Sequence, residues 1–184
     1  MDAISIRTLA RRRTCVLVAL ACVGAAECVA GMPVPSIAPY ALHNVEVTSL
    51  DPATFTEVQR YPREGTGWLD DLTRYIAQRA VRTLPADQRL TVTITDVQLA
   101  GRFEPWRPGP LGNARIVRDR TPPRITLSFR LESAQGTLVK QGVRDLHDVN
   151  FMIRSSLYHR GQPLAHEKTL IDDWLRNELG RSGR

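Results

Sequence analysis

Hydrophobic and polar positions along the chain follow two rhythms, and each rhythm predicts a different kind of element. Over residues 68–84, apolar side chains recur every three or four positions, which is the spacing of one face of an α-helix. Over residues 90–94 and 125–131, apolar and polar residues alternate strictly, which is typical of half-buried strands. Residues 44–50 alternate over a shorter stretch and predict a first strand before Asp51-Pro52 ends it.

The alternation changes phase after Ile94, because the next apolar residues are Val97 and Leu99. A β-bulge near Thr95-Asp96 would insert one residue and keep both apolar sets on the same face of the sheet. The turn Ala134-Gln135-Gly136 follows strand 125–131, so residues 137–146 are predicted to return as its hairpin partner.

Two further helices are predicted in the last third of the chain. Residues 148–157 fit a short helix with apolar positions Val149, Met152, Ile153 and Leu157. The final helix is expected from Pro163 to a stop at Gly180, with its apolar stripe formed by Leu170, Ile171, Trp174, Leu175 and Leu179. Within it, Asp172 and Arg176 have the spacing of an i, i+4 ion pair.

The order strand, helix, strands, helix predicts an α+β fold. We expect an antiparallel sheet of about four strands with two main helices packed on one face, forming a single domain over residues 44–180. Residues 31–43 contain Pro33, Pro35 and Pro39 and show no periodicity, so they are predicted to be a flexible, proline-rich lead-in.

The N-terminal segment has the pattern of a secretory signal peptide. Arg7 and the run Arg11-Arg12-Arg13 precede an apolar stretch over residues 14–26, and small residues follow up to Ala30. This stretch of 13 residues is shorter than the roughly 20 that a spanning helix needs. The pattern predicts a signal peptide over residues 1–30 that is cleaved after Ala30, and a mature protein without a membrane span.

Three alternatives to cleavage after Ala30 stay open. Cleavage after Ala26 also leaves small residues at the cut. Ala19-Leu20-Ala21-Cys22 loosely resembles a lipid-attachment box, which would make the protein an outer-membrane lipoprotein anchored through Cys22. The third alternative is an uncleaved N-terminal helix, against which the upstream arginines argue.

Removal of residues 1–30 changes the charge and cysteine content of the chain. The whole chain has 25 basic and 19 acidic residues, a net +6; the remainder has 21 and 17, a net +4. This charge is too small for the basic surface of a nucleic-acid-binding protein. All three cysteines lie at positions 15, 22 and 28, so the mature domain would have neither disulfides nor thiolate metal ligands.

The segment 101–123 is the strongest candidate for binding. It contains five prolines and three glycines, and a loop of this length is usually functional or disordered. Arginine forks could hold anionic groups while a tryptophan serves as an apolar anchor; the candidate residues are Arg102, Trp106, Arg107, Arg115, Arg118 and Arg120. The alternative is a solvated connection in which Trp106 folds onto the sheet and Ile116-Val117 adds a short edge strand.

No pattern in the chain predicts catalysis, a metal or a cofactor. The four histidines lack metal-ligand spacing, and no nucleophile elbow or phosphate-binding glycine loop occurs. Asp96 at the change of phase is expected to hydrogen-bond backbone freed by the bulge, with a polar role at a cleft edge as the alternative. The rival enzymatic hypothesis is a hydrolase whose site combines Asp96, His147 and a nearby Ser or Arg.

Several stretches resemble a bacterial family of exported proteins called domain of unknown function 3016. They are Val45-Glu46-Val47 with Asp51-Pro52, residues 84–90, Pro123-Arg124-Ile125, Glu167-Lys168 with Trp174 and, as the most specific one, residues 93–102 (Thr-Ile-Thr-Asp-Val-Gln-Leu-Ala-Gly-Arg). The resemblance covers roughly residues 44–179. It implies a proteobacterial envelope protein and brings no activity and no catalytic residues.

Together these observations favour a non-enzymatic, periplasmic binding or accessory module of the cell envelope. Its expected partner is an envelope protein or an anionic envelope component. The alternatives are the periplasmic hydrolase and the outer-membrane lipoprotein described above.

Overall fold

A computed structural model describes residues 40–154, 159 and 161–179. The predicted signal peptide with its cleavage sites, Cys22, most of the proline-rich lead-in, Leu157 and Gly180 lie outside the described residues. What the sequence predicts for these residues therefore stays a prediction.

The described chain forms seven strands and four α-helices. The strands are β1 (Tyr40–Leu42), β2 (Val45–Ser49), β3 (Gln88–Gln98), β4 (Arg102–Phe103), β5 (Arg115–Ile116), β6 (Arg124–Ser133) and β7 (Leu138–His147). The helices are α1 (Thr56–Arg60), α2 (Gly67–Thr83), α3 (Phe151–Arg154) and α4 (Ala165–Leu179). Short 3₁₀ turns cover Pro52–Thr54 and Gly109–Asn113.

The main sheet is mixed, with the strand order β1-β2-β3-β6-β7. The α+β class is confirmed, but the sheet is not antiparallel throughout, because β2 and β3 run parallel with Val45 opposite Leu90. Helix α2 returns the chain along the sheet between these two strands, and such a crossover makes its flanking strands parallel. The pairs β1–β2, β3–β6 and β6–β7 are antiparallel.

Strand β1 lies in the segment that was predicted to be a flexible lead-in, and that prediction is wrong for residues 40–42. Tyr40 pairs with Val47 and Leu42 with Val45 across a two-residue turn. His43 adopts a left-handed φ of 53° in this turn, and Asn44 donates its side-chain amide to the carbonyl of Pro85 at 3.3 Å. A long-range contact therefore fixes a hairpin that local periodicity does not reveal.

One face of the sheet packs against α2 and α4 and forms the core. The alternating residues Val92 and Ile94 of β3 and Leu127 of β6 are fully buried there, together with Ile76 of α2 and Ile171 of α4. The opposite face is rich in half-buried Thr and Ser. The bulge is confirmed, because the β3–β6 register shifts between Ile94 and Asp96.

The short helix after β7 differs from the prediction. Among the described residues, helix α3 covers Phe151–Arg154, starting three residues later than predicted, and its buried side chain is Phe151. Val149, Met152 and Ile153, which were expected to form its apolar positions, are all exposed. The periodicity there was misleading because Phe151, between the expected positions, supplies the contact with the rest of the domain and packs its ring on His166.

Candidate functional site

Two buried glutamates hold the start of the 101–123 segment. Glu57 on α1 is only 2% exposed, and its carboxylate accepts a hydrogen bond from the backbone N–H of Leu99 at 2.8 Å. Glu167 on α4 accepts one from the N–H of Ala100 at 2.7 Å. Both N–H groups follow the end of β3, where no neighbouring strand pairs with them, so side-chain acceptors replace the sheet.

Gly101 allows the chain to turn at this point. Its φ is +82°, and a Cβ atom there would lie 2.7 Å from the backbone oxygen of Ile116. Only glycine fits both restrictions. The turn directs β4 back against β5, with Arg102 opposite Ile116 and Phe103 opposite Arg115. The alternative prediction of an edge strand at Ile116-Val117 is therefore only partly right, because β5 pairs with β4 rather than with the main sheet.

A third buried carboxylate, Glu104, forms ion pairs with three of the predicted arginines. Arg107 and Arg118 hydrogen-bond its Oε2, Arg118 at 3.2 Å, and the guanidinium of Arg102 lies 3.7 Å from Oε1. The hydrogen bond from Arg107 is the main cause that holds the pKa of Glu104 below its usual range. Glu104 is therefore an anionic centre around which the middle of the segment folds.

Arg115 connects the segment to α1. Its guanidinium forms an ion pair with Glu57 and lies over two aromatic rings, 5.2 Å from the centre of Tyr61 and 4.7 Å from that of Phe103. These rings meet edge to face at 5.1 Å. The two rings line a cleft of about 420 Å³. Its other lining residues include Pro62, which follows α1, and Pro105 in the segment 101–123. This volume lies within the range of small-ligand sites.

The predicted binding residues thus divide into two groups. Arg102, Arg107, Arg115 and Arg118 are engaged with buried carboxylates and stabilise the shape of the segment. Trp106 and Arg120 point outward. Trp106 is 70% exposed and does not fold onto the sheet, and the half-exposed Leu111 is the next large apolar side chain of the segment. The segment therefore presents apolar groups on a frame of internal ion pairs.

Asp96 has the structural role that was expected, but with another partner. Its carboxylate accepts hydrogen bonds from the backbone N–H of Thr56 at 2.6 Å and from its hydroxyl at 2.8 Å, which fixes the first turn of α1. The proposed hydrolase site is not assembled. Asp96 pairs with Thr126 on β6, whereas His147 lies on β7, two strands or roughly 10 Å from β3.

Sequence reasoning missed a second polar cluster, between α2 and α4. Tyr75 donates its hydroxyl to Asp172 at 2.8 Å, Arg79 donates to the same carboxylate at 2.7 Å, and His159 lies 3.1 Å from it. The predicted ion pair of Asp172 with Arg176 is wrong, because Arg176 pairs with Asp173 at 3.1 Å. Asp172 faces α2 instead, on the buried side of α4.

The ionisation of this cluster follows from its contacts. Burial opposes ionisation of Asp172, but hydrogen bonds from His159, Arg79 and Tyr75 outweigh it and hold the pKa of Asp172 below its usual value. Burial and the hydrogen bond to Asp172 raise the pKa of Tyr75 far above its usual value. The cluster therefore combines the neutral hydroxyl of Tyr75 with the paired carboxylate of Asp172. Both groups contact His159, which connects residue 159 to helices α2 and α4.

The described residues contain neither a cluster of metal ligands nor a membrane-spanning helix. No group of three His, Cys, Asp or Glu side chains is placed to hold a metal ion there. No helix in the same part of the chain is both long and apolar enough to cross a membrane.

Comparison with known proteins identifies one relationship. The model of a family described as "Protein of unknown function (DUF3016)" matches residues 43–177. No curated protein and no solved structure matches the chain. The matched range includes the main sheet from β2 onward, the segment 101–123 and both polar clusters.

Proposed function

Because the chain belongs to the DUF3016 family of proteins of unknown function, whose description assigns no activity, we propose its role from its own surface and N-terminal sequence. We propose that it is a non-enzymatic binding module of the cell envelope, exported to the periplasm by its signal peptide. The exposed Trp106, held on a segment that internal ion pairs keep in shape, is the observation that carries the binding role.

Export is supported by the N-terminal pattern and by the distribution of cysteines. The basic cluster, the short apolar stretch and the small residues before Gly31 have the order that a signal peptidase requires. All three cysteines fall in the segment that would be removed. The remaining domain would hold itself together by its apolar core.

The binding role is supported by pre-organisation of the segment. If a surface tryptophan lay on a mobile loop, binding would have to order the loop, and this loss of conformational entropy would lower the affinity. Here Glu57 and Glu104 fix the backbone on either side of Trp106 through Arg115, Arg107 and Arg118. Buried ion pairs contribute little to net stability but can specify a conformation, and the conformation specified here leaves Trp106 in solvent.

The charges favour a protein partner over an anionic component. Four of the five arginines of the segment already neutralise buried carboxylates. What the segment offers outward is mainly Trp106 and Leu111, and aromatic anchors are enriched at the centres of protein interfaces. We therefore propose that the partner is an envelope protein with an apolar pocket.

The location is tested by the mass of the mature N-terminus after fractionation of the native cells. A periplasmic protein that begins at Gly31 supports the proposal, and an acylated Cys22 identifies a lipoprotein instead. An intact N-terminus in the cytoplasmic fraction would refute export.

The binding role is tested with Trp106→Ala in a pull-down from native periplasm. Loss of an anchor of this kind costs about 2 kcal/mol or more, which is roughly a 30-fold loss of affinity, so partner recovery should fall strongly. The matched control is Arg120→Ala, which should change little if the partner is a protein. Loss of recovery with Arg120→Ala but not with Trp106→Ala would indicate an anionic component. Arg102 and Arg107 are unsuitable positions because their loss would disturb Glu104.

A further inference from the structure

Strand β7 forms one edge of the main sheet. It pairs with β6 on one side, and the described residues contain no strand on its other side. The opposite edge, β1, has only three residues, whereas β7 has ten. A long edge strand presents a row of unpaired backbone N–H and C=O groups and is a template for pairing with another chain.

Exposed apolar side chains are concentrated at this edge. Of the eight large apolar residues that are exposed in the described part of the chain, six lie on β7 or within the six residues that follow it: Leu138, Val139, Val143, Val149, Met152 and Ile153. Val143 is 66% exposed at the middle of the strand. It lies opposite Ser128, on the face of the sheet that no helix covers.

We propose that two copies of the chain associate through their β7 strands, antiparallel, with Val143 of one copy directly opposite Val143 of the other. The two main sheets would then form one continuous sheet related by a two-fold axis at this residue. Such an interface is isologous, so each feature of one copy must find its complement in the same surface of the other.

The charges of the strand disfavour the two neighbouring registers. Residues directly opposite each other in an antiparallel pair lie on the same face of the sheet. The two-fold axis between the two β7 strands must therefore pass between the two copies of one residue, not between two successive residues. An axis at Gly142 would place Lys140 opposite Arg144 of the second copy, and an axis at Arg144 would bring two guanidinium groups together. Like charges directly opposite are destabilising. With the axis at Val143, Lys140 faces Leu146, and Gln141 faces Asp145.

The same register brings the remaining exposed apolar groups together. Val139 of one copy then reaches His147 of the other, so Leu138 and Val139 approach the segment that begins after β7. That segment carries the exposed Val149, Met152 and Ile153. The apolar ends of the strand therefore complement each other twice, once on each side of the axis.

The experiment is sedimentation equilibrium of the purified mature protein over a wide range of concentrations, with position 143 varied. The wild type should reach the mass of two chains. Val143→Lys and Val143→Glu should each remain monomeric at concentrations where the wild type is dimeric, because each places like charges at the axis. An equal mixture of the two variants should recover the dimer, since Lys and Glu then face each other.

Leu111→Lys is the matched control, because it places the same charge on an exposed apolar position away from β7. It should dimerise like the wild type, and circular dichroism should show all variants folded. A wild type that is monomeric at every concentration overturns the proposal. So does a dimer that persists in Val143→Lys, or a mixture of the Lys and Glu variants that stays monomeric.

Discussion

Glu57 is the residue whose removal tests most directly how the segment 101–123 is held. One of its carboxylate oxygens accepts from the N–H of Leu99, and the other is paired with Arg115. Glu57→Ala removes both contacts at once. Glu57→Gln keeps one oxygen that can accept from Leu99, but it puts a neutral NH2 group in place of the oxygen that faces Arg115 and so removes the ion pair. The pair of variants therefore separates the backbone anchor from the ion pair.

The expected magnitudes follow from burial. Removing one partner of a buried ion pair costs about 3–5 kcal/mol when the other charge stays buried. The side chain of Arg115 is 21% exposed and can reach water in part, which places Glu57→Ala near the lower end, at about 3 kcal/mol. Glu57→Gln should cost about 1 kcal/mol less than Glu57→Ala, because Arg115 loses its partner in both variants but the hydrogen bond from Leu99 survives with the Gln acceptor.

The assay is equilibrium unfolding in urea, followed by circular dichroism. Glu132→Gln is the matched control, because it makes the same chemical change in a more exposed ion pair with Arg130, whose side chain is 51% exposed and that of Glu132 23%. It should cost less than about 1 kcal/mol. If Glu57→Ala unfolds within about 1 kcal/mol of the wild type, Glu57 is not the anchor that its contacts indicate. Equal losses in the Ala and Gln variants would refute the separate role of the Leu99 hydrogen bond.

Two further substitutions test the other parts of the argument. Asp172→Asn should destabilise the protein by about 2 kcal/mol at neutral pH. Folding lowers the pKa of Asp172, so the stability that its carboxylate contributes is complete above the unfolded pKa of about 4 and disappears as the pH falls through the folded value. In urea unfolding at a series of acidic pH values, the difference in unfolding free energy between variant and wild type should therefore close below about pH 4. A difference that stays constant would contradict the assignment. Gly101→Ala should cost about 3 kcal/mol in the same assay, because its Cβ would meet the backbone of Ile116, whereas Gly65→Ala, with a similar φ of +69° but open space, should cost only about 1 kcal/mol. Equal costs for the two glycines would show that the close approach at residue 101 is unimportant.

The elements that the sequence predicts well are those whose pattern is local and long. Helix α2 and strands β3 and β6 each repeat one period several times, and the bulge is visible as a change of phase within β3. Strand β1 and the parallel pairing of β2 with β3 were not predicted. Both depend on which strands become neighbours, and three residues such as Tyr40–Leu42 carry too little alternation to indicate it.

The segment 101–123 remains the candidate site, but the role expected of most of its arginines differs from the one that their contacts show. Arginines are visible in a sequence as candidate ligands for anions, and here most of their partners are the protein's own carboxylates. Glu57 and Glu167 lie in helices far from residues 101–123 in the sequence, where a glutamate is ordinarily a solvated residue. Only the tertiary fold brings them to the end of β3, so no local pattern could identify them.

The run 95–102, which lies within the family match, is held by several contacts of the fold. Asp96 fixes α1, and Val97 enters the core. The N–H groups of residues 99 and 100 are held by two buried glutamates, residue 101 must turn with a positive φ, and Arg102 reaches Glu104.

Residues 99–102 of that run therefore position the segment 101–123, and none of them supplies a free nucleophile, acid or base. The pull-down with Trp106→Ala and the unfolding of Glu57→Ala therefore test the binding surface and its attachment separately: loss of the Trp106 ring should weaken binding and leave the fold intact, whereas loss of the Glu57 carboxylate should weaken both.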